Sequence, residues 1–161
     1  MRLTKFSDYA LRTLIYAADR EGTLATVEET ARFFGISRAH LKKVVMRLST
    51  AGYLEAARGH GGGFRLARPA AEINLGALLR ATEPDFGLVE CFVPGNACRI
   101  TAACRLPCAF NEALGAFLST LDRFSLADLR LDPGQFAALS EGPPRVPARL
   151  RGPRLPGLQD S

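Results

Sequence analysis

Residues 26–50 read as two short helices with only a tight turn between them. Thr26 and Glu29 stand in capping-box spacing ahead of a helix over roughly residues 27–34, whose buried face would be Val27, Ala31 and Phe34. Gly35 ends that helix and Ser37 caps the next. In the second helix Leu41, Val44, Val45 and Leu48 form an apolar stripe, while Arg38, His40, Lys43 and Arg47 point away from it. Two helices joined through a glycine turn, the second basic on its outer face, are the helix-turn-helix pattern.

The following residues extend that pattern. Tyr53 to Arg58, then Gly59-His60-Gly61-Gly62-Gly63, then Phe64 to Ala67 read as strand, glycine-rich tip and strand, which is a wing. Backbone N–H groups of such a tip approach phosphates closely, and Arg58 or His60 can enter a minor groove. Ser7 or Asp8 is expected to cap a first helix in which Leu11, Leu14, Ile15 and Ala18 recur at helical spacing, with Arg12 on its polar face. Asn74 is expected to cap a fourth helix with Leu75, Leu78 and Leu79 inward, ending before Pro84. From Leu106 through Phe110, Leu114, Phe117 and Leu118 to Leu121 runs a long helix with an apolar face too wide to stay solvated. Ser125-Leu126-Ala127-Asp128-Leu129 reads as a short capped turn packing on that helix.

Charge divides along the chain. Residues 1–70 carry 12 Lys/Arg against 6 Asp/Glu, and residues 71–140 carry 5 against 8. A basic first half is the electrostatic footprint of a nucleic-acid-binding module, because each neutralised phosphate releases counterions. Arg38 and His40 fall in the first turn of the second helix, where side chains reach base edges and arginine pairs well with guanine. Ser37 caps that helix, and a helix N-terminus also favours a phosphate. An enzyme is not expected, since no nucleophile is paired with a base and the two histidines, His40 and His60, both fall in DNA-contact positions. No segment approaches the ~20 apolar residues of a membrane span, and the start lacks a secretory signal, so the expected location is cytoplasmic. Residues 141–161 hold five of the ten prolines with arginines interleaved and read as a disordered tail.

Cys91, Cys98, Cys104 and Cys108 are the only cysteines and fall within eighteen residues. In a reducing compartment such a group points to metal ligation or redox chemistry before disulfides. Thiolates suit zinc or iron–sulfur clusters. Gaps of six, five and three residues lack the tight C-x-x-C pairs of structural zinc sites and suit a larger, less regular centre. The competing reading, small buried hydrophobes, fits Cys108 alone better than the set.

Taken together, residues 1 to about 131 resemble the NsrR/IscR family of iron–sulfur winged-helix transcriptional regulators. The resemblance rests on Leu3 through Arg12, Ser37-Arg38-Ala39-His40-Leu41, Arg58 through Gly63, the spaced cysteines and Leu126-Ala127-Asp128-Leu129. Phe6-Ser7-Asp8-Tyr9 and the Ser37-Arg38-x-His40 helix look like the NsrR branch, which represses nitric-oxide detoxification genes. The resemblance implies a mainly α protein. It would comprise a winged helix-turn-helix domain (1–82), a cysteine-rich cluster loop (83–105), a long dimerisation helix with a short capping turn (106–140) and a tail (141–161). It further implies a homodimer on a double-stranded, roughly palindromic operator, with nitric oxide as the signal. A four-iron cluster, or alternatively a two-iron one, would be held by Cys91, Cys98 and Cys104, with Asp8 from the second copy as fourth ligand. Cys108 is an alternative to Asp8. DNA would be contacted by Arg12, Ser37, Arg38, His40, Lys43, Arg58, Gly59, His60, Gly62 and Gly63. The chain departs from the NsrR pattern in its first cysteine gap, one residue longer, and in Ala39, where that branch often has Asn. Two other readings stay open: a sensor of cluster supply or redox state with the same fold, and a zinc-stabilised module that does not switch.

Overall fold

The computed structural model describes residues 2–20, 22–57, 59, 61–93, 95–132 and 135–140. Arg58, His60 and the tail 141–161 lie outside the described residues. The chain divides into two units, residues 1–130 and 131–161.

In the first unit, helix α1 spans Lys5–Asp19, α2 Val27–Phe34 and α3 Arg38–Thr50. Strands β1 (Leu54–Ala57) and β2 (Gly63–Leu66) pair antiparallel, with Leu54 opposite Leu66 and Ala57 opposite Gly63. Helix α4 covers Leu75–Thr82 and α5 Leu106–Leu121, and single 3₁₀ turns cover Ala70–Glu72, Glu90–Phe92 and Leu126–Leu129. Three helix starts have their expected caps: Thr26, Ser37 and Asn74 accept from the backbone N–H of Glu29, His40 and Ala77. Each such cap contributes about 1 kcal/mol. Gly35 ends α2 in the left-handed region at φ 64°.

The first helix starts earlier than expected. Thr4, not Ser7 or Asp8, is its cap and accepts from the Ser7 N–H at 3.2 Å. Ser7 is instead fully buried and donates to Thr82 Oγ1 at 2.9 Å, while Asp8 is turned to Arg12. Ser7 is therefore taken by a tertiary partner and Asp8 by a neighbour one turn along the same helix, and the cap lies upstream at Thr4.

The core lies where α1, α3, α4 and the hairpin meet, and Leu14, Leu41, Leu48, Phe64, Ile73 and Leu78 are among its fully buried large side chains. Burying each one stabilises the fold by about 1.5–3 kcal/mol. The 3₁₀ turn Leu126–Leu129 has the expected capping box between Ser125 and Asp128. Its packing differs from expectation: it sits chiefly on α1 and on the turn Ala70–Glu72, not on α5. Leu126 is fully buried there, and its N–H donates to Ile73 O at 2.8 Å.

Helix α5 exists as the sequence predicts, and none of its residues is buried in the single chain. It is anchored to α4 at one end, where Arg80 and Asp122 form a two-bonded ion pair at 2.6 and 2.8 Å. That bond lowers the Asp122 carboxyl below its ordinary range and raises the Arg80 guanidinium. Asn74 adds a bond to Asp122 O at 2.6 Å. In the second unit, α6 spans Gln135–Ser140, a helix the sequence reading did not include, and Asp132 and Gln135 bond to each other at its start.

Candidate nucleic-acid interface and cysteine loop

Amphipathic periodicity fixes which face α3 presents. Leu41, Val44, Val45 and Leu48 are all buried, so Arg38, His40, Lys42, Lys43, Met46 and Arg47 are left on the exposed side. Met46 is 62% exposed, which places an apolar side chain in the middle of a basic face. Ser37 caps α3, its hydroxyl accepting from the His40 N–H at 3.3 Å, at a helix end whose dipole favours an anion.

Arg38 is not a free surface cation. Its guanidinium is paired with Glu28 in the first turn of α2, across the turn at Gly35. The two residues border a groove lined by Val27, Ala39 and Lys42. Nothing in the helical periodicity marks Glu28, because pairing between two exposed residues on different helices leaves no trace in spacing.

The wing is held against the domain by its second strand. Phe64 is buried, its N–H donates to Ala25 O at 2.7 Å and its O accepts from the Ala25 N–H at 2.9 Å. Gly63 has a structural reason of its own beside any phosphate contact, since a Cβ there would overlap the Ala25 carbonyl oxygen. At the tip Gly59 and Gly61 take φ of 110° and 84°, where side chains rarely go, and Gly62 N–H closes onto Gly59 O at 3.0 Å. The turn needs glycine at both positions.

Asp8 and Arg12 are one helical turn apart on α1 and hold each other with two bonds, 2.9 and 2.8 Å. The same end of α1 has two further ties that the sequence did not reveal. Phe6 lies under the Arg47 guanidinium at 5.4 Å, a cation–π contact to α3. Thr4 donates from both its N–H and its hydroxyl to Glu83 Oε1, at 2.9 and 3.1 Å, just ahead of the cysteine segment. The start of α1 thus touches α3 on one side and the C-terminal end of α4 on the other.

The cysteines are free thiols. Cys91 lies in the 3₁₀ turn Glu90–Phe92 and is half-buried, as is Cys104, while Cys98 and Cys108 are exposed. Asn96 orders the loop by accepting from the Cys98 N–H at 3.1 Å and from the Thr101 hydroxyl at 2.8 Å. The Leu106 N–H points at Cys104 Sγ, 3.4 Å away. Among the described residues no three His, Cys, Asp or Glu side chains lie close enough together to hold a metal ion, so Cys91, Cys98, Cys104 and Asp8 are not gathered. The donor chemistry nonetheless fits a soft metal centre: unpaired thiols share one short loop, and a backbone N–H already offers itself to one sulfur.

Residues 3–131 match the family model Rrf2, described as an iron-dependent transcriptional regulator. The chain belongs to the Rrf2 family. It is 47% identical over 131 residues to the HTH-type transcriptional regulator NsrR of Bacillus subtilis (strain 168), covering 80% of this chain and 90% of that protein. It is 46% identical over 142 residues to the regulator of the same name in Geobacillus kaustophilus (strain HTA426), covering 86% and 96%. Among solved structures it resembles a putative transcriptional regulator from Listeria innocua (TM-score 0.66, 25% identity, covering 80% and 85%). The same fold appears in CymR, the global cysteine regulator of B. subtilis (TM-score 0.64, 24% identity, covering 80% and 95%). It also appears in IscR of T. potens (TM-score 0.62, 20% identity, covering 80% and 85%). This Rrf2 chain is an NsrR-like helix-turn-helix transcription regulator and not an enzyme. Among the described residues no helix is long and apolar enough to cross a membrane.

Proposed function

We propose that this Rrf2 regulator represses nitric-oxide stress genes, binds operator DNA as a homodimer, and is switched by an iron–sulfur cluster on Cys91, Cys98 and Cys104. The observation that carries the reading is a loop of free thiols in a chain this similar to the NsrR regulators. A bound four-iron cluster supplies an iron that three cysteines leave open to a weaker oxygen ligand or to nitric oxide.

The chain's own residues do the rest. Ser37, Arg38, His40 and Lys43 on α3, with the wing from Arg58 to Gly63, meet DNA, and phosphate contacts set the register while base edges set the sequence. Residues of α5 buried in neither α4 nor the core meet their counterparts in the second copy. Asp8 has two claimants. Engaged by Arg12, as here, each neutralises the other and Arg12 is withheld from the DNA backbone. As a ligand to a cluster in the second copy's loop, Asp8 would release Arg12 and tie the two subunits together. Because both recognition helices must stand about one helical turn of DNA apart, or a multiple of it, a small rotation of α1 and α3 is enough to lose the operator.

Cysteine variants made and purified without oxygen test this. Cys91→Ala, Cys98→Ala and Cys104→Ala should each be colourless and fail to respond, whereas Cys108→Ala should stay brown and respond. A colourless Cys108→Ala protein beside an Asp8→Ala protein that switched normally would give the fourth position to Cys108.

A further inference from the structure

Two adjacent glutamates open α2 and are used differently. Glu29 is turned inward, accepting from the Tyr16 hydroxyl at 3.4 Å with Arg20 3.9 Å away. Glu28 is turned outward, to Arg38. A carboxylate on the face of a DNA-binding module repels phosphates and lowers affinity for every duplex. Its position beside the first residue of α3 is therefore a cost to binding that needs a return.

The return lies in Arg38. A long guanidinium at a helix N-terminus, left to itself, takes whichever phosphate oxygen is nearest and carries no sequence information. Glu28 engages its NH2 group, and a guanidinium carries further N–H donors with which it can meet a base edge. In the free protein the two side chains are 72% and 52% exposed, so the pair adds little to folding stability. Against DNA both lose water, and the same pair strengthens as the local dielectric falls. Lys42, on the same groove one turn along, remains available for phosphate.

We propose that Glu28 is a specificity-determining residue of this regulator, holding Arg38 toward a base edge and penalising its use as a plain phosphate contact. The inference rests on the reading of α3 as the recognition helix. It acts through Arg38, so Glu28 is a positioning residue.

A double-mutant cycle tests it. The full-length chain would first select a tight duplex from a random-sequence pool. Affinities for that duplex and for a scrambled one of equal composition would then be measured at one salt concentration for wild type, Glu28→Gln, Arg38→Ala and the double variant. Glu28→Gln should bind the scrambled duplex about threefold to tenfold tighter and lose about tenfold in discrimination, an effect of the size of one base contact. In the Arg38→Ala background the same substitution should shift both duplexes by one common factor. If Arg38→Ala lowers discrimination while Glu28→Gln shifts both duplexes equally, the proposal for Glu28 fails and the recognition helix stands. If Arg38→Ala leaves discrimination intact, the recognition-helix reading fails and takes the proposal with it.

Discussion

Replacing Gly63 by alanine tests how the wing is attached. The new Cβ would overlap the Ala25 carbonyl oxygen and approach Leu24 Cβ to 3.1 Å. Gly63 is not in the left-handed region, so the expected damage is contact alone. Relief requires β2 to move away from Ala25, which breaks or stretches the bonds Phe64 N–H to Ala25 O and Ala25 N–H to Phe64 O. Two such bonds contribute about 1 kcal/mol each. Overpacking adds about 1–3 kcal/mol, and the stiffer unfolded chain returns about 0.5–1 kcal/mol. The net expectation is a loss of roughly 2–4 kcal/mol. Urea unfolding should show a lower midpoint at unchanged slope, and the folded variant should bind DNA more weakly because the wing has shifted. A stability loss under about 0.5 kcal/mol would refute the argument, since relief would then cost less than one backbone bond.

Leu126→Ala should destabilise by about 2–5 kcal/mol, measured by equilibrium unfolding, because Leu126 is fully buried between α1 and the turn Ala70–Glu72. The Arg80–Asp122 anchor should persist at neutral pH and weaken only in acid. The Asp122 carboxyl is held below its ordinary range, so its contribution is complete above about pH 4 and is lost as pH falls further through the lowered value. Asp122→Asn should remove that acid-dependent part from a pH series of unfolding midpoints. Leu114→Arg, in the middle of α5, should sediment as a monomer and bind operator poorly, and a dimeric variant would move the interface elsewhere.

Legibility followed the range of the forces involved. Local signals succeeded: Thr26, Gly35, Ser37 and Asn74 mark helix ends through their own side chains and φ angles, and the stripe Leu41, Val44, Val45 and Leu48 is buried throughout. Signals that depend on a distant partner failed. Thr4 is the cap of α1 where Ser7 is drawn to Thr82 and Thr4 itself is held by Glu83, both far along the chain. The turn Leu126–Leu129 was recognisable from its capping box, but its packing partner was not, since nothing local distinguishes α1 from α5 as the surface that covers Leu126. The site was partly legible in the same sense. Residue types named the basic helix, the glycine tip and the thiols, whereas Glu28, Phe6 and Glu83 enter only through tertiary contact.

The central claim is that nitric oxide, acting at the cysteine loop, changes operator binding. The most direct measurement follows operator affinity of the brown, oxygen-free protein as nitric oxide is added, with the absorption spectrum recorded on the same samples. The account predicts that the spectrum changes and affinity falls together, and that Cys91→Ala binding does not respond. A colourless protein carrying stoichiometric zinc, or a brown one whose operator affinity stays constant while its spectrum changes, would contradict it.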